Sequence, residues 1–187
     1  HTPGWYVAYP SNAADAKGLI KTACRIDDPV IFFEHKGLYR QVFSKSPEPD
    51  EDYMIPFGRA KIVRPGTDLT AITWGSGVNR AVRAAAEMEK EGTSVEVIDL
   101  RTLVPLDEDA VFASVRKTGK AIVVHEANLT GGFGGEVAAR IADRCFPDLD
   151  APVRRLAAKD CFTPYAPSLE AAVLPSQEDV TAAIREL

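Results

Sequence analysis

The feature that most constrains the fold is the alternation of short apolar runs with helix-like segments along most of the chain. The apolar runs have the length of strands, and the segments between them show the apolar spacing of amphipathic helices. Parallel strands that alternate with helices are joined by right-handed crossovers, which place the helices on the faces of one sheet. The pattern therefore predicts an α/β fold with a mostly parallel sheet between helices.

End signals locate several of the predicted elements. Ser11 is the predicted N-cap of the first helix, and Gly92 closes another, because glycine is preferred just after a helix. Ser176 and Asp179 have the spacing of a capping box at the start of the last helix. We predict strands over residues 5–9, 30–33, 60–63, 69–74, 95–100, 121–125 and 153–156, and helices after residue 11 and over residues 78–91, 107–117, 137–145 and 176–187.

The two halves of the chain are separated by a stretch that cannot bury an apolar face. From Phe43 to Pro56 the sequence is acidic and rich in proline, which is typical of a linker. We therefore divide the chain into residues 1–50, the end of one domain, and residues 51–187, a second domain. Before the linker, the apolar run Val30–Phe33 indicates a strand that is covered on both faces. We expect the domain from about Pro56 onward to fold independently.

Composition and charge exclude several classes of function. Of the 187 residues, 45% are hydrophobic and 26% are charged, the balance of an ordinary globular protein. No apolar run approaches the roughly 20 residues of a membrane span, so we expect no contact with a membrane. The net charge is −5 and the basic residues are scattered, which argues against nucleic acid as a partner. The three cysteines form no C-x-x-C pair, which indicates a reducing compartment and no zinc site.

The sequence begins at His1 with neither an initiator methionine nor the apolar core of a signal peptide. We therefore expect it to have been cut from a longer protein.

Three segments that follow predicted strands contain the candidate functional residues, because ligands of open α/β sheets lie beyond the carboxyl ends of the strands. The segment Gly75–Gly77 lacks the glycine spacing of a serine hydrolase, and the glycines near Gly132 lack that of a dinucleotide site. Those glycines either permit a tight turn and close helix packing or admit another protein chain. The interface candidates in the other two segments are Glu34, Arg40, His125, Glu126, Gly131 and Gly132.

Taken together, several blocks of sequence resemble one family. The order of the blocks matches as well, and they run through nearly the whole chain. The family is that of the β subunits of the E1 component of thiamine-diphosphate-dependent 2-oxo-acid dehydrogenases, and the branched-chain 2-oxoisovalerate type is the most similar. The blocks are Asp15–Leu19, Asp28–Glu34, Leu38–Arg40, Glu96–Pro105, Lys117–Gly119, His125–Ala127 and Leu129–Phe133.

The resemblance implies the end of a pyrimidine-binding domain followed by a transketolase-type C-terminal domain. It implies oxidative decarboxylation of branched-chain 2-oxo acids, with pyruvate or acetoin dehydrogenase as the alternative. The cofactor would be thiamine diphosphate with Mg²⁺. The partners would be an E1 α subunit, a second β copy in a heterotetramer, and the E2 dihydrolipoyl acyltransferase. The compartment would be the bacterial cytoplasm or the mitochondrial matrix.

The resemblance also implies that the catalytic histidine and the cofactor-activating glutamate lie upstream of this sequence. We therefore assign no catalytic or cofactor-binding residue here and expect the isolated chain to be inactive. The family's monovalent cation site, for K⁺, corresponds to Ala23, Ile26 and Asp28, although the family has cysteine and aspartate at the first two positions. Two other classes stay open: a non-catalytic assembly module, and a lone nucleotide-binding α/β domain.

Overall fold

The computed structural model describes all 187 residues, which form two sheets and six α-helices. In chain order the strands are β1 Tyr6–Ala8, β2 Val30–Phe32, β3 Lys61–Arg64, β4 Leu69–Thr73, β5 Val95–Asp99, β6 Thr102–Val104, β7 Ala121–Asn128 and β8 Arg154–Ala158. The helices are α1 Ala13–Ala23, α2 Gly77–Lys90, α3 Glu108–Thr118, α4 Gly134–Arg144, α5 Pro167–Ala171 and α6 Gln177–Arg185. No helix combines the length and apolarity that crossing a membrane requires.

The larger sheet has five strands in the order β3-β5-β4-β7-β8. All neighbours are parallel except β3, which pairs with β5 in the antiparallel direction. The chain passes from β4 to β5 on one side and later to β7 on the other. The carboxyl ends of β4 and β7 therefore stand next to each other where the direction of winding reverses.

Both faces of this sheet are covered, as the continuous apolar runs of its central strands predict. Successive residues of a strand point to opposite faces. Ile72, Ile98 and Val123 belong to one apolar cluster together with residues of α3 and α4. Their neighbours Ala71, Val97 and Ile122 belong to a second cluster, which α2 and α6 complete. The alanines of α2 let that helix lie close to the sheet.

The smaller sheet has the order β2-β1-β6 and joins the two halves of the chain. Strand β1 pairs in parallel with β2 and antiparallel with β6, so a strand from the second half completes a sheet of the first. The linker residues between the halves contain only a short 3₁₀ turn at Val42–Ser44. The first fifty residues are thus attached to the second half by main-chain pairing.

Some sequence predictions need correction. The N-cap of α1 is Asn12, whose side chain accepts from the amide of Asp15, and not Ser11. The run Val30–Phe33 is not covered on both faces, since Ile31 is 37% and Phe33 46% exposed. Helix α4 begins at Gly134 rather than at Val137, and both β6 and α5 were not predicted. The capping box of Ser176 and Asp179 is confirmed.

Candidate functional site

The candidate site is the crevice at the carboxyl ends of β4 and β7, where the direction of winding reverses. Open α/β sheets place their ligands at such a point because the loops that follow the two strands diverge there. On one side, β4 is followed by Trp74, Gly75 and Ser76, and α2 begins at Gly77. On the other side, the crevice is bordered by His125 and Glu126 in the last part of β7.

Glu126 is the centre of a polar cluster in this crevice. One carboxylate oxygen lies 2.8 Å from Nε2 of His35, and the other accepts a 2.8 Å hydrogen bond from Nη1 of Arg80. Arg80 also donates to the hydroxyl of Ser76, at 3.2 Å. The Glu126 side chain is only 19% exposed. Three segments that are distant in sequence therefore meet at one carboxylate.

The surroundings shift the protonation of this cluster in a definite direction. Burial favours the neutral acid, but the hydrogen bonds of His35 and Ser76 and the charge of Arg80 outweigh it and lower the pKa of Glu126 to about 2. The hydrogen bond to Glu126 raises the pKa of His35 above its usual value, against the effect of burial. Glu126 is consequently an anion at neutral pH, and it favours a protonated His35.

His125 lies beside Glu126 in sequence but serves a different purpose. Its ring is 1% exposed and stacks on Trp74, with ring centroids 5.4 Å apart and ring planes 6° apart. The edge of Phe133 contacts the same tryptophan. Burial lowers the pKa of His125 and outweighs the opposing effect of the Ala127 backbone, which lies too far from ideal geometry for either ring nitrogen to count as hydrogen-bonded. The ring is therefore a neutral packing element, and the extended backbone directs Glu126 away from it.

The ring of His125 limits which residues fit in the glycine-rich segment at the start of α4. A Cβ atom at Gly132 or Gly134 would overlap the imidazole ring, so both positions need glycine for a reason within this chain. A Cβ atom at Gly131 would meet no other atom within 4 Å, but the residue has a φ of +73°, so its requirement is conformational. The tight-turn interpretation thus accounts for all three glycines. The approach of another chain to Gly131 and Gly132 stays a prediction.

A second polar seam holds the first fifty residues on the second domain. Nε and Nη2 of Arg101 donate to the two carboxylate oxygens of Asp15, at 3.0 and 2.7 Å. The hydroxyl of Ser11 donates to the carboxylate of Asp99 at 2.5 Å, and the amide of Arg101 donates to it at 3.0 Å. Burial raises the pKa of Asp99 to about 6. Arg101 adopts a φ of +59° in this turn, which directs its side chain toward α1.

The structure separates some of the predicted interface residues. Glu34 and Arg40 are both exposed, and no salt bridge joins them. Sequence reasoning singled out Glu126 but missed its partners His35 and Arg80. His35 lies inside a segment that drew attention, whereas the only signal for Arg80 is its position one helical turn after Ser76. Neither signal points to Glu126.

The predicted cation site offers few ligands. The carbonyl of Ala23 accepts the amide of Ile26, and Asp28 is the only one of the three residues with a side-chain oxygen. No group of three or more His, Cys, Asp or Glu side chains in the structure could hold a metal ion. Hard cations bind sets of several oxygen ligands, so a K⁺ site here would depend on backbone carbonyls and stays a prediction.

Comparison with known proteins gives matches along the whole chain. The transketolase C-terminal domain model matches residues 58–180, and the transketolase pyrimidine-binding domain model matches residues 1–42. The chain is 46% identical over 186 residues to the 2-oxoisovalerate dehydrogenase subunit beta of Bacillus subtilis, covering 99% of this chain and 56% of that protein. It is 47% identical over 185 residues to the pyruvate dehydrogenase E1 component subunit beta of the same organism, with the same coverage.

A solved structure gives the same result at the level of the fold. A split-gene transketolase, described as an inactive beta4 tetramer, has a TM-score of 0.80 and 26% sequence identity to this chain. The match covers 98% of this chain and 58% of that one. The chain thus spans about half the length of the relatives that it matches.

Proposed function

The chain belongs to the transketolase C-terminal domain family, and from this we propose that it is the C-terminal part of an E1 β subunit of a thiamine-diphosphate-dependent 2-oxo-acid dehydrogenase. The observation that carries the proposal is the 46% identity over 186 residues to a subunit of that kind. This identity extends through both segments that the family models match, in the same order along the chain.

The proposed reaction is the oxidative decarboxylation of a branched-chain 2-oxo acid, with transfer of the acyl group to a lipoyl group on E2. Pyruvate is the second candidate, because a pyruvate dehydrogenase subunit beta is 47% identical to the chain. Bound thiamine diphosphate, with Mg²⁺, would supply the electron sink for decarboxylation. The proposed compartment is the bacterial cytoplasm or the mitochondrial matrix, since a Bacillus subtilis subunit and a mitochondrial Arabidopsis thaliana subunit are both among the relatives.

The residues of this chain do not form a complete site for that cofactor. The crevice where an α/β sheet would take a ligand contains the rings of Tyr9 and His35, so a diphosphate would find no open position there. We therefore assign the cofactor to residues outside this chain. The contribution of the chain would be structural: it would support the cofactor cleft formed with the α subunit, contact a second β copy and offer a surface to E2.

A domain replacement tests the proposal. The aligned part of the Bacillus subtilis 2-oxoisovalerate dehydrogenase subunit beta is replaced by this chain and produced together with its α subunit. We expect the hybrid to assemble and to release carbon dioxide from 2-oxoisovalerate, with the unaltered enzyme as the reference. The isolated chain should release none above a cofactor-only control. A folded hybrid that fails to assemble with the α subunit, or that assembles without activity, would contradict the proposal.

The same replacement in the pyruvate dehydrogenase subunit beta of that organism distinguishes the two substrates. We expect this chain to retain a larger fraction of the reference activity in the 2-oxoisovalerate background than in the pyruvate background. The reverse order would favour the pyruvate candidate. Assembly without activity in both backgrounds would favour the other class, a non-catalytic assembly module.

A further inference from the structure

The crevice at the ends of β4 and β7 is filled by the chain itself. The ring of Tyr9 lies so close to Gly75 that a side-chain carbon at that glycine would be 2.8 Å from it. Phe33 stacks on Tyr9, with ring centroids 5.3 Å apart. His35 then reaches Glu126. The part of the sheet where a ligand would bind thus holds an aromatic and basic segment of the first fifty residues.

Glu126 is the carboxylate that contacts His35 of this segment, and it is shared with Arg80. Arg80 is cationic at all accessible pH values, whereas His35 carries a charge only when protonated. The carboxylate therefore always has one cationic partner and has a second one at low pH. Because all three side chains are less than 30% exposed, solvent screens their interaction only in part.

We propose that His35, Glu126 and Arg80 form a proton-sensitive latch that fastens the segment from Phe33 to Lys45 over this crevice. Elsewhere the segment is held within the first fifty residues: Phe33 stacks on Tyr9 and its amide donates to Ala8, and the rest has two 3₁₀ turns, Lys36–Leu38 and Val42–Ser44, and the hydroxyl of Ser44, which donates to backbone carbonyls. Tyr39, Val42 and Phe43 are exposed. The latch is thus the main side-chain attachment of this segment to the second domain.

Of His35 and the groups that face it, only His35 changes its charge near neutral pH. Glu126 faces it from β7, Arg80 from α2, and Tyr9 from the residue after β1. Burial raises the pKa of Tyr9 to about 12, so that ring stays neutral. On its own segment, Glu34 and Lys36 flank His35 and are both exposed to solvent. Glu126, with its pKa of about 2, is ionised throughout the range of interest.

The direction of the pH effect follows from linkage. The pKa of His35 is raised in the folded protein by its hydrogen bond to Glu126. The contribution of this pair is therefore fully present below the unfolded pKa of about 6.5 and is lost as the pH rises through the folded pKa. The latch should hold most firmly near pH 6 and loosen toward pH 8.5. A neutral imidazole can still donate one hydrogen bond, so the segment is loosened rather than released.

Amide hydrogen exchange of the complete chain tests the latch. The reporters are the amides of Leu38, Tyr39, Gln41 and Ser44, which donate within the two turns. After correction for intrinsic exchange rates, their opening should be about two- to fivefold more frequent at pH 8.5 than at pH 6, the range that a partly exposed ion pair supports. His35→Gln, which cannot gain a proton, should remove this pH dependence.

Further variants separate the latch from general electrostatics. Glu126→Gln should open the segment at pH 6 about as often as the wild-type protein does at pH 8.5. Glu48→Gln, which removes the exposed ion pair with Lys17, should leave the reporters unchanged. If His35→Gln keeps the wild-type pH dependence, or if Glu126→Gln exchanges like the wild-type protein at pH 6, the proposal is overturned.

A direct titration needs no variant. The ring protons of His35 in the wild-type protein should report a pKa above 6.5 by nuclear magnetic resonance. A value at or below 6.5 would also overturn the proposal.

Discussion

Asp99 is a carboxylate that is fully removed from water at the end of β5. Burial raises its pKa from 3.8 to about 6, in spite of the Ser11 hydroxyl and the Arg101 amide that donate to it. A raised folded pKa means that the native state binds the proton more tightly than the unfolded chain. The contribution of Asp99 to stability therefore falls between about pH 4 and pH 6 and stays low above that range.

We predict that Asp99→Asn removes this pH dependence. The difference in unfolding free energy between the variant and the wild-type protein should shift in favour of the variant by about 2–2.5 kcal/mol from pH 4 to pH 7, at about 1.4 kcal/mol for each pKa unit and with the unfolded carboxyl already partly ionised at pH 4. Urea unfolding at the two pH values measures the shift. A difference that is the same at both values would show that Asp99 titrates normally in the folded protein.

The buried ring of His125 requires a glycine at position 134, at the start of helix α4. We predict that Gly134→Ala lowers the unfolding free energy by about 1–3 kcal/mol, because the added carbon overlaps the His125 ring. The matched control is Gly135→Ala in the same helical turn. Its nearest neighbour is Nη1 of Arg155 at 3.3 Å, the mobile end of a long side chain. That variant should be neutral or slightly stabilising, since alanine favours helix.

A double-mutant cycle identifies the cause. In a His125→Ala background, the cost of Gly134→Ala should largely disappear, because the overlapping atoms are gone. An unchanged cost would mean that the helix N-terminus itself, and not the ring, requires glycine.

At the scale of elements, α1 is held on the second domain by the paired hydrogen bonds between Asp15 and Arg101. The Asp15 side chain is 1% and that of Arg101 11% exposed. We predict that Asp15→Asn lowers the unfolding free energy by roughly 3 kcal/mol, because it leaves a largely buried guanidinium without its counter-charge. Glu48→Gln, which breaks the exposed pair with Lys17 of the same helix, should cost less than about 1 kcal/mol. Urea unfolding compares the two; equal costs would contradict the assignment.

The local sequence pattern predicts most of the helices and strands, but it predicts none of the contacts between residues that are far apart in sequence. The five-stranded sheet was predicted because its strands carry apolar runs that need no knowledge of their neighbours. Strand β6 was missed because it has three residues, lies between Arg101 and a proline, and gains its strand geometry from pairing with β1, almost a hundred residues earlier. The predicted N-cap, Ser11, lies one residue before the observed one, Asn12. The Ser11 hydroxyl donates to Asp99 and does not cap the helix.

The candidate site follows the same rule. The position of Glu126 at a strand end is visible in the sequence, since it depends only on the apolar run before it. Its partner His35 is 91 residues away. The predicted start of α4 is Val137, because glycines are poor helix formers. The helix nevertheless begins at Gly134, where the His125 ring leaves no room for a larger residue. Which residues contact Glu126 therefore depends on the tertiary structure and cannot be predicted from the local sequence.

At the scale of the whole molecule, the two apolar clusters lie entirely within residues 69–184 in their buried members. We predict that a chain beginning at Met54 folds cooperatively by itself, with a lower melting temperature than the 187-residue chain because the seam to Tyr9, Asp15 and His35 is lost. Circular dichroism and calorimetry measure this. An unfolded shorter chain would show that the boundary proposed near residue 50 is in the wrong place.

The seam between the two halves also affects how a nascent chain reaches this structure. The ribosome completes residues 1–50 well before the partners that fasten them, and His35 must wait for a glutamate that is 91 residues later. At about 5–20 residues per second, that delay is roughly 5–20 seconds. During this time β1 and β2 have no β6 to pair with. The rate of translation across residues 51–126 therefore sets how long His35 remains without its partner Glu126.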